Sequence, residues 1–250
     1  MSKFFDETQR ARQWAPQIPE NGRLDVASVI DAIKLGETLS PEPAQVDSIN
    51  GPEMELPQPS RGLIKMFQAD STLPASAVEA YGSLRTRVLK LKASKGIRSL
   101  MLTSSVSSEG KTLTSRNLAV SCAKLHNLRI LVVDGDLRSR GLTRLLSIPE
   151  GPGLTDLLAG ETTLDKAVLS TDHENLFVLG AGSMNAQPSE LFASSLWAEF
   201  VASASQTYDM VIVDAPPIYS LPDAELISAG CDGVLMVVRA LSRRQAGRGD

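Results

Sequence analysis

The 250-residue chain lacks the features that mark several function classes. It has two cysteines, Cys122 and Cys231, far apart in the sequence. Neither a disulfide framework nor a cysteine metal site follows from that spacing, and a reducing compartment suits it best. No apolar run approaches the roughly 20 residues of a membrane helix. The longest resemble ILVV at 130–133 and VLMVV at 234–238. The opening residues, MSKFFDETQRARQWAP, have no apolar stretch of the secretion-signal kind. Basic residues are not in excess: 25 Lys and Arg stand against 29 Asp and Glu, for a net charge of −4, which argues against a nucleic-acid partner. No G-x-G-x-x-G follows a strand-like segment, so a dinucleotide redox fold is disfavoured. Tyrosine is scarce, at Tyr81, Tyr208 and Tyr219. Together these absences predict a cytoplasmic protein.

What is present divides in two. Residues 1–74 are expected to be a flexible N-terminal region with short amphipathic helices. Phe4, Phe5, Thr8, Ala11 and Trp14 share one helical face, suited to transient helix or to docking a partner, and Pro16 would stop it. The stretch SPEPAQVDSINGPEMELPQPS, at 40–60, has linker composition. From Ala75 the pattern changes. Helical periodicity over 75–93 (Val78, Tyr81, Leu84, Val88, Leu91) leads into a buried strand at 97–104 and a helix at 110–126 carrying Leu118, Cys122 and Leu125 on one face. Further strands are expected at 129–134, 176–182, 209–217 and 232–240. Helices are expected at 153–160, 164–169, 194–206 and 223–230. Apolar strands alternating with helices predict an α/β fold: a parallel, doubly wound sheet with helices on both faces. There is no internal repeat.

In such sheets ligands sit beyond the carboxyl ends of the strands, and three of those ends are chemically distinctive. Gly110-Lys111-Thr112 falls between a strand and a helix, the setting of the phosphate-binding loop G-x-x-x-x-G-K-[ST], with Ser105 where the first glycine usually stands. A serine suffices there if its φ stays negative. Backbone N–H groups of the loop, Ser107, Ser108, Glu109, Gly110, Lys111, Thr112 and Leu113, would face phosphates. Lys111 would reach the β- and γ-phosphates and the Thr112 hydroxyl would ligate Mg²⁺. Gly110 is expected because a side chain would crowd the phosphate. Asp134 and Asp136 follow one apolar strand and Asp214 ends another, as a Walker-B aspartate does. A triplet in this setting, backed by two Asp-ended strands, predicts a site for a nucleotide and Mg²⁺.

With those residues in view, the chain resembles the bacterial tyrosine kinases of capsule and exopolysaccharide synthesis over about residues 75–240. TSSVSSEGKT, at 103–112, is similar to that family's loop, [ST]-S-x-x-P-G-E-G-K-[ST], with Ser107-Ser108 in place of Pro-Gly. ILVVDGDLRSR resembles its D-x-D-x-R motif through Asp134, Asp136 and Arg138, and VIVDAPP resembles its Walker-B segment. GLTDLLAG, QPSELF and DGVLMVVRA also look like family segments. The resemblance implies a P-loop NTPase type of fold and an ATP-dependent protein-tyrosine autokinase that regulates polysaccharide polymerisation and export. In that reading Lys111, Asp134, Asp136 and Asp214 are catalytic. Asp134 accepts the tyrosine hydroxyl proton or positions it, and Asp136 and Asp214 organise Mg²⁺ with Thr112. The resemblance further implies a membrane polysaccharide co-polymerase whose cytoplasmic tail activates the kinase, recruitment to the inner face of the membrane, and a homo-oligomer.

Four departures shape the expectations. The tail, LSRRQAGRGD, carries no tyrosine, whereas family kinases end in a tyrosine cluster; Tyr81 and Tyr219 are candidate acceptors, with a structural role the favoured reading of each. The domain at 75–250 is expected to be shortened at its C-terminal end. The family's oligomerising helix, E-x-x-R-x-x-R, is matched by Glu79 and Arg85 with Gly82 between them, which predicts weaker ring assembly. Ser108 would strain the loop if that position needs a positive φ. Two rival functions remain: a dimeric ATPase switch, whose signature lysine would stand where Val106 does, and a nucleotide-binding regulatory subunit without catalysis.

Overall fold

A computed structural model describes residues 63–66, 73–184, 187–219 and 222–239. All of them fall in one compact unit, Glu55–Ala240. The Phe/Trp face at 4–14 and the linker at 40–60 lie outside the described residues.

A long helix, α1 (Ala75–Lys95), opens the domain and ends at Gly96, whose φ of 69° suits the left-handed stop that glycine adopts without Cβ strain. Then follow β1 (Ser99–Ser104), α2 (Lys111–Ala123), β2 (Ile130–Asp134), three short helices α3 (Gly141–Leu145), α4 (Leu154–Leu158) and α5 (Leu164–Ala167), and strands β3 (Leu169–Ser170) and β4 (Leu176–Leu179). The chain continues through α6 (Pro188–Ala193), α7 (Ser195–Thr207), β5 (Met210–Asp214), α8 (Asp223–Ala229) and β6 (Gly233–Val237). One sheet has the order β3-β4-β2-β5-β1-β6. Its pairings are parallel except at the β3 edge, where Leu169 lies antiparallel to Val178. The expected parallel sheet is thus present with an antiparallel edge strand, and Leu169, read as helical, belongs to that strand. Its two residues carry too little pattern to be told from the end of α5.

Period-two alternation sends successive strand residues to opposite faces. Leu100, Leu102, Ile130, Val132, Leu176, Val178, Met210 and Ile212 pack with α2 and Val88 of α1. Met101, Leu131, Val133, Phe177, Leu179, Val211 and Val213 pack on the other face, with Trp197, Phe200 and Ile227. Burying each such side chain contributes about 1.5–3 kcal/mol. The α1 face differs from expectation: of its five periodic residues only Val88 is buried, while Val78 and Leu91 are 40% and 36% exposed. The helix is held in part by polar contacts instead. Arg85 donates to the Ser121 carbonyl and Lys92 to that of Asp209, both at 2.8 Å.

Residues 63–66 extend the packed unit ahead of the expected start at Ala75. The Ile64 N–H donates to the Ser170 carbonyl at 2.9 Å, and Met66 is buried beneath it.

Candidate nucleotide site

Sheet order brings three distant segments together. β1 pairs with β5 and β5 with β2, so their carboxyl ends are neighbours: Leu102 is level with Asp214, and Asp214 with Asp134. The loop at 105–110 leaves β1 and turns into α2. Ser105 is not among the positive-φ residues, as expected of a serine that replaces glycine. Ser108 is, at φ 67°, so the substitution places a side chain in the left-handed region. Gly110 has φ 97°, and a Cβ there would meet no atom within 4 Å. The positive φ is itself a requirement for glycine, beside the room that the sequence reading reserves for a phosphate.

The Lys111 ammonium, buried at the start of α2, lies 2.9 Å from Asp136 Oδ2, 3.7 Å from Asp214 Oδ1 and 3.5 Å from Thr112 Oγ1. Ser115, one turn along α2, donates to Asp214 Oδ1 at 3.3 Å. Thr143 of α3 gives both its N–H and its hydroxyl to Asp134 Oδ2, at 2.7 and 2.6 Å, and accepts from the Ala181 N–H at 2.9 Å. Asp136 accepts from the Ser139 N–H at 3.0 Å. Two buried carboxylate oxygens have no hydrogen-bond partner among the described residues: Asp134 Oδ1 and Asp214 Oδ2.

Those oxygens set the electrostatics. Burial pushes the Asp134 carboxyl up to about 6, against the lowering pull of its Thr143 hydrogen bonds. Burial pushes Asp214 up to about 7, opposed by the Lys111 charge and helped by the neighbouring Asp134. A hard cation relieves such desolvation. A Cβ on Gly141 would stand 3.0 Å from Thr112 Oγ1 and 3.8 Å from Asp214 Oδ2, so this glycine keeps open the space between those two oxygens. Among the described residues no three His, Cys, Asp or Glu converge into an all-protein metal cage.

A cavity of about 510 Å³ opens above these groups. Ser107, Ser108, Gly110, Lys111, Thr112 and Leu113 form its loop side. Asp136, Ser139, Gly141, Arg144 and Leu145 form the facing wall. Asp134 and Asp214 lie behind that lining, wholly buried. Glu109 turns away: its carboxylate accepts from the Val106 N–H at 3.1 Å and the Arg239 N–H at 3.4 Å, while the Arg239 guanidinium reaches the Ser108 carbonyl. The Val106 hydrogen bond leads in holding the Glu109 pKa below its usual range. Its side chain shapes the loop, and only its backbone remains for phosphate.

Thr143, Ser115, Arg144 and Arg239 escaped sequence reasoning. α3 spans five residues, shorter than any periodicity window, so nothing marked 143 and 144 as facing the loop. Arg239 meets the loop only because β6 pairs with β1. Arg138, part of the D-x-D-x-R pattern, binds Asp223 at 2.9 Å and ties β2 to α8.

Residues 107–247 match the family model described as the AAA domain. The chain is 32% identical over 160 residues to tyrosine-protein kinase YwqD of Bacillus subtilis, covering 64% of this chain and 67% of that protein. It is 33% identical over 162 residues to tyrosine-protein kinase CpsD of Streptococcus pneumoniae, covering 64% and 70%. The solved kinase domain of Escherichia coli tyrosine kinase ETK is similar with a TM-score of 0.63 at 30% identity, covering 68% of this chain and 66% of that one. These likenesses show that the chain belongs to the bacterial tyrosine kinases of capsule and exopolysaccharide synthesis.

Proposed function

We propose that residues 75–250, with 63–66 packed onto them, are a catalytic domain that transfers the γ-phosphoryl group of ATP to tyrosine hydroxyls. The observation that carries this reading is the Lys111 ammonium, 2.9 Å from Asp136 and 3.7 Å from Asp214 beneath a cavity walled by the loop, with two orphaned carboxylate oxygens alongside. Phosphoryl transfer asks mainly for placement and charge stabilisation. The loop N–H groups from Ser107 to Leu113 hold the phosphates. Lys111 exchanges its carboxylate contacts for β- and γ-phosphate oxygens and neutralises charge as the bond to the leaving oxygen stretches. Thr112, Asp136 and Asp214 would hold Mg²⁺, which would add charge neutralisation there when bound. Asp134 accepts the tyrosine proton: its raised pKa brings it nearer neutrality, where a general base works best, and Thr143 fixes its orientation.

No helix among the described residues is long and apolar enough to cross a membrane. We place the chain at the inner face of the membrane, held there by the cytoplasmic tail of a polysaccharide co-polymerase and assembled as a homo-oligomer; residues 1–74 form its N-terminal region. Glu79, exposed on α1, is free to reach a neighbouring copy, whereas Arg85 is spent within the chain on Ser121.

The test is incubation of the purified chain with γ-labelled ATP, Mg²⁺ and the partner's cytoplasmic tail. Label on tyrosine that disappears in Lys111→Met and Asp134→Ala supports the kinase. Free phosphate without protein label identifies a switch ATPase, and binding with neither identifies a regulatory subunit.

A further inference from the structure

We propose that Tyr219 is a residue on which one copy of this chain is phosphorylated by another. This rests on the kinase reading above and names a substrate for it. The chain has three tyrosines, and all three are among the described residues. Tyr208 is 1% exposed, packed against Phe177 at 5.4 Å between centroids with the Arg129 guanidinium 5.2 Å above its ring. It precedes β5 and so sits at the end of the sheet opposite Lys111. Tyr81 is half-buried in the middle of α1, where the helix would have to open before its backbone could enter another copy's site.

Tyr219 differs on each count. It is 80% exposed, the most exposed large hydrophobic or aromatic side chain among the described residues. It stands in the turn after β5, beyond Asp214, on the rim that carries the phosphate loop. The turn is anchored: the Ile218 N–H donates to the carbonyl of Ser104, the last residue of β1, at 3.0 Å. A fixed base with a free phenol is how an acceptor is presented to another molecule. Tyr219 borders a second cavity of about 480 Å³, lined also by Met101, Thr103, Val234 and Met236, and the two cavities share no residue. The acceptor therefore lies outside its own phosphate cavity, which assigns the transfer to a second copy.

In that step the Tyr219 Oη of one copy forms a bond to the γ-phosphorus of ATP held by the other. The bond from that phosphorus to the β,γ-bridging oxygen breaks and ADP leaves. The phenolic proton passes to Asp134 of the donor copy. The product carries nearly two negative charges beside Glu225 and the exposed apolar side chains Ile218, Val234 and Met236. Phosphorylation would thereby turn an apolar surface anionic.

The experiment uses the labelling mixture above with a synthetic Glu/Tyr copolymer added as an independent acceptor, and phosphopeptides mapped by mass spectrometry. Tyr219→Phe is expected to lose self-labelling while phosphorylating the copolymer at the wild-type rate. Mixed with Lys111→Met, it is expected to label the Lys111→Met chain at Tyr219. Persistent self-labelling of Tyr219→Phe, or label mapped to Tyr81 or Tyr208, with the copolymer still phosphorylated, overturns this assignment and leaves the kinase reading standing. Absence of label on both the wild-type chain and the copolymer overturns both.

Discussion

At the amino end of the sheet, Asp232 accepts hydrogen bonds from the N–H groups of Arg98 and Ser99 at 2.8 Å and from the Ser99 hydroxyl at 2.9 Å. Asp209 nearby accepts from the Arg129 N–H at 2.9 Å. Burial works to raise the Asp232 pKa, but those hydrogen bonds outweigh it and hold the carboxyl below its usual range. At the carboxyl end, Asp134 and Asp214 are buried completely, each keeps an oxygen without a partner among the described residues, and their pKa values rise. The same residue type at two ends of one sheet is satisfied in one place and left wanting in the other. The difference separates carboxylates that fix the fold from carboxylates placed for a ligand.

Activity separates the two ends of the sheet most widely. Lys111→Met and Asp214→Asn are each expected to lower tyrosine phosphorylation by about a thousandfold or more, as loss of preorganised charge stabilisation does. Circular dichroism should show both variants folded. Asp232→Ala should do the reverse: unfolding in urea is expected to show a loss of about 2–3 kcal/mol for three hydrogen bonds, with kcat/KM unchanged well below the transition.

Protonation sharpens the contrast. Asp134 and Asp214 have folded pKa values of about 6 and 7, above the ordinary 3.8. Between those limits the folded chain binds more protons than the unfolded one, so ligand-free stability should fall as pH rises from about 4 to 7 and then level off. Asp214→Asn should flatten that fall. Asp232 has a depressed folded pKa, so its stabilisation is present above the unfolded value and lost as pH drops through the folded one; Asp232→Asn should flatten only the acid limb. Urea midpoints at stepped pH read both. The smallest effect is at the cavity's facing wall, where Arg144→Ala should raise the KM for ATP several-fold, on the order of 1 kcal/mol for an exposed charge, with kcat held.

The convergence of charged groups at the carboxyl end was legible in sequence because its signals are local. Gly110-Lys111-Thr112 sits at a strand-to-helix junction, and Asp134 and Asp214 each close an apolar run. The fold class followed from the same alternation. Contacts set by strand order were not legible: Thr143 meets Asp134 across a five-residue helix, and Arg239 meets Ser108 because β6 lies beside β1. The faces of α1 and the turn after β5 misled for a related reason. Periodicity marks apolar positions without saying what covers them, so Val78 and Leu91 remain partly open, and Tyr219, for which the sequence favours a structural role over an acceptor's, is 80% exposed.

The most direct test of a single site built from the ends of β1, β2 and β5 is calorimetric titration of ADP, with and without Mg²⁺, into the wild-type chain, Lys111→Met and Asp214→Asn. The expected result is one site per chain, tightened by Mg²⁺ in the wild type, at least about tenfold weaker in Lys111→Met, and insensitive to Mg²⁺ in Asp214→Asn. Wild-type affinity and an undiminished Mg²⁺ effect in both variants would contradict it.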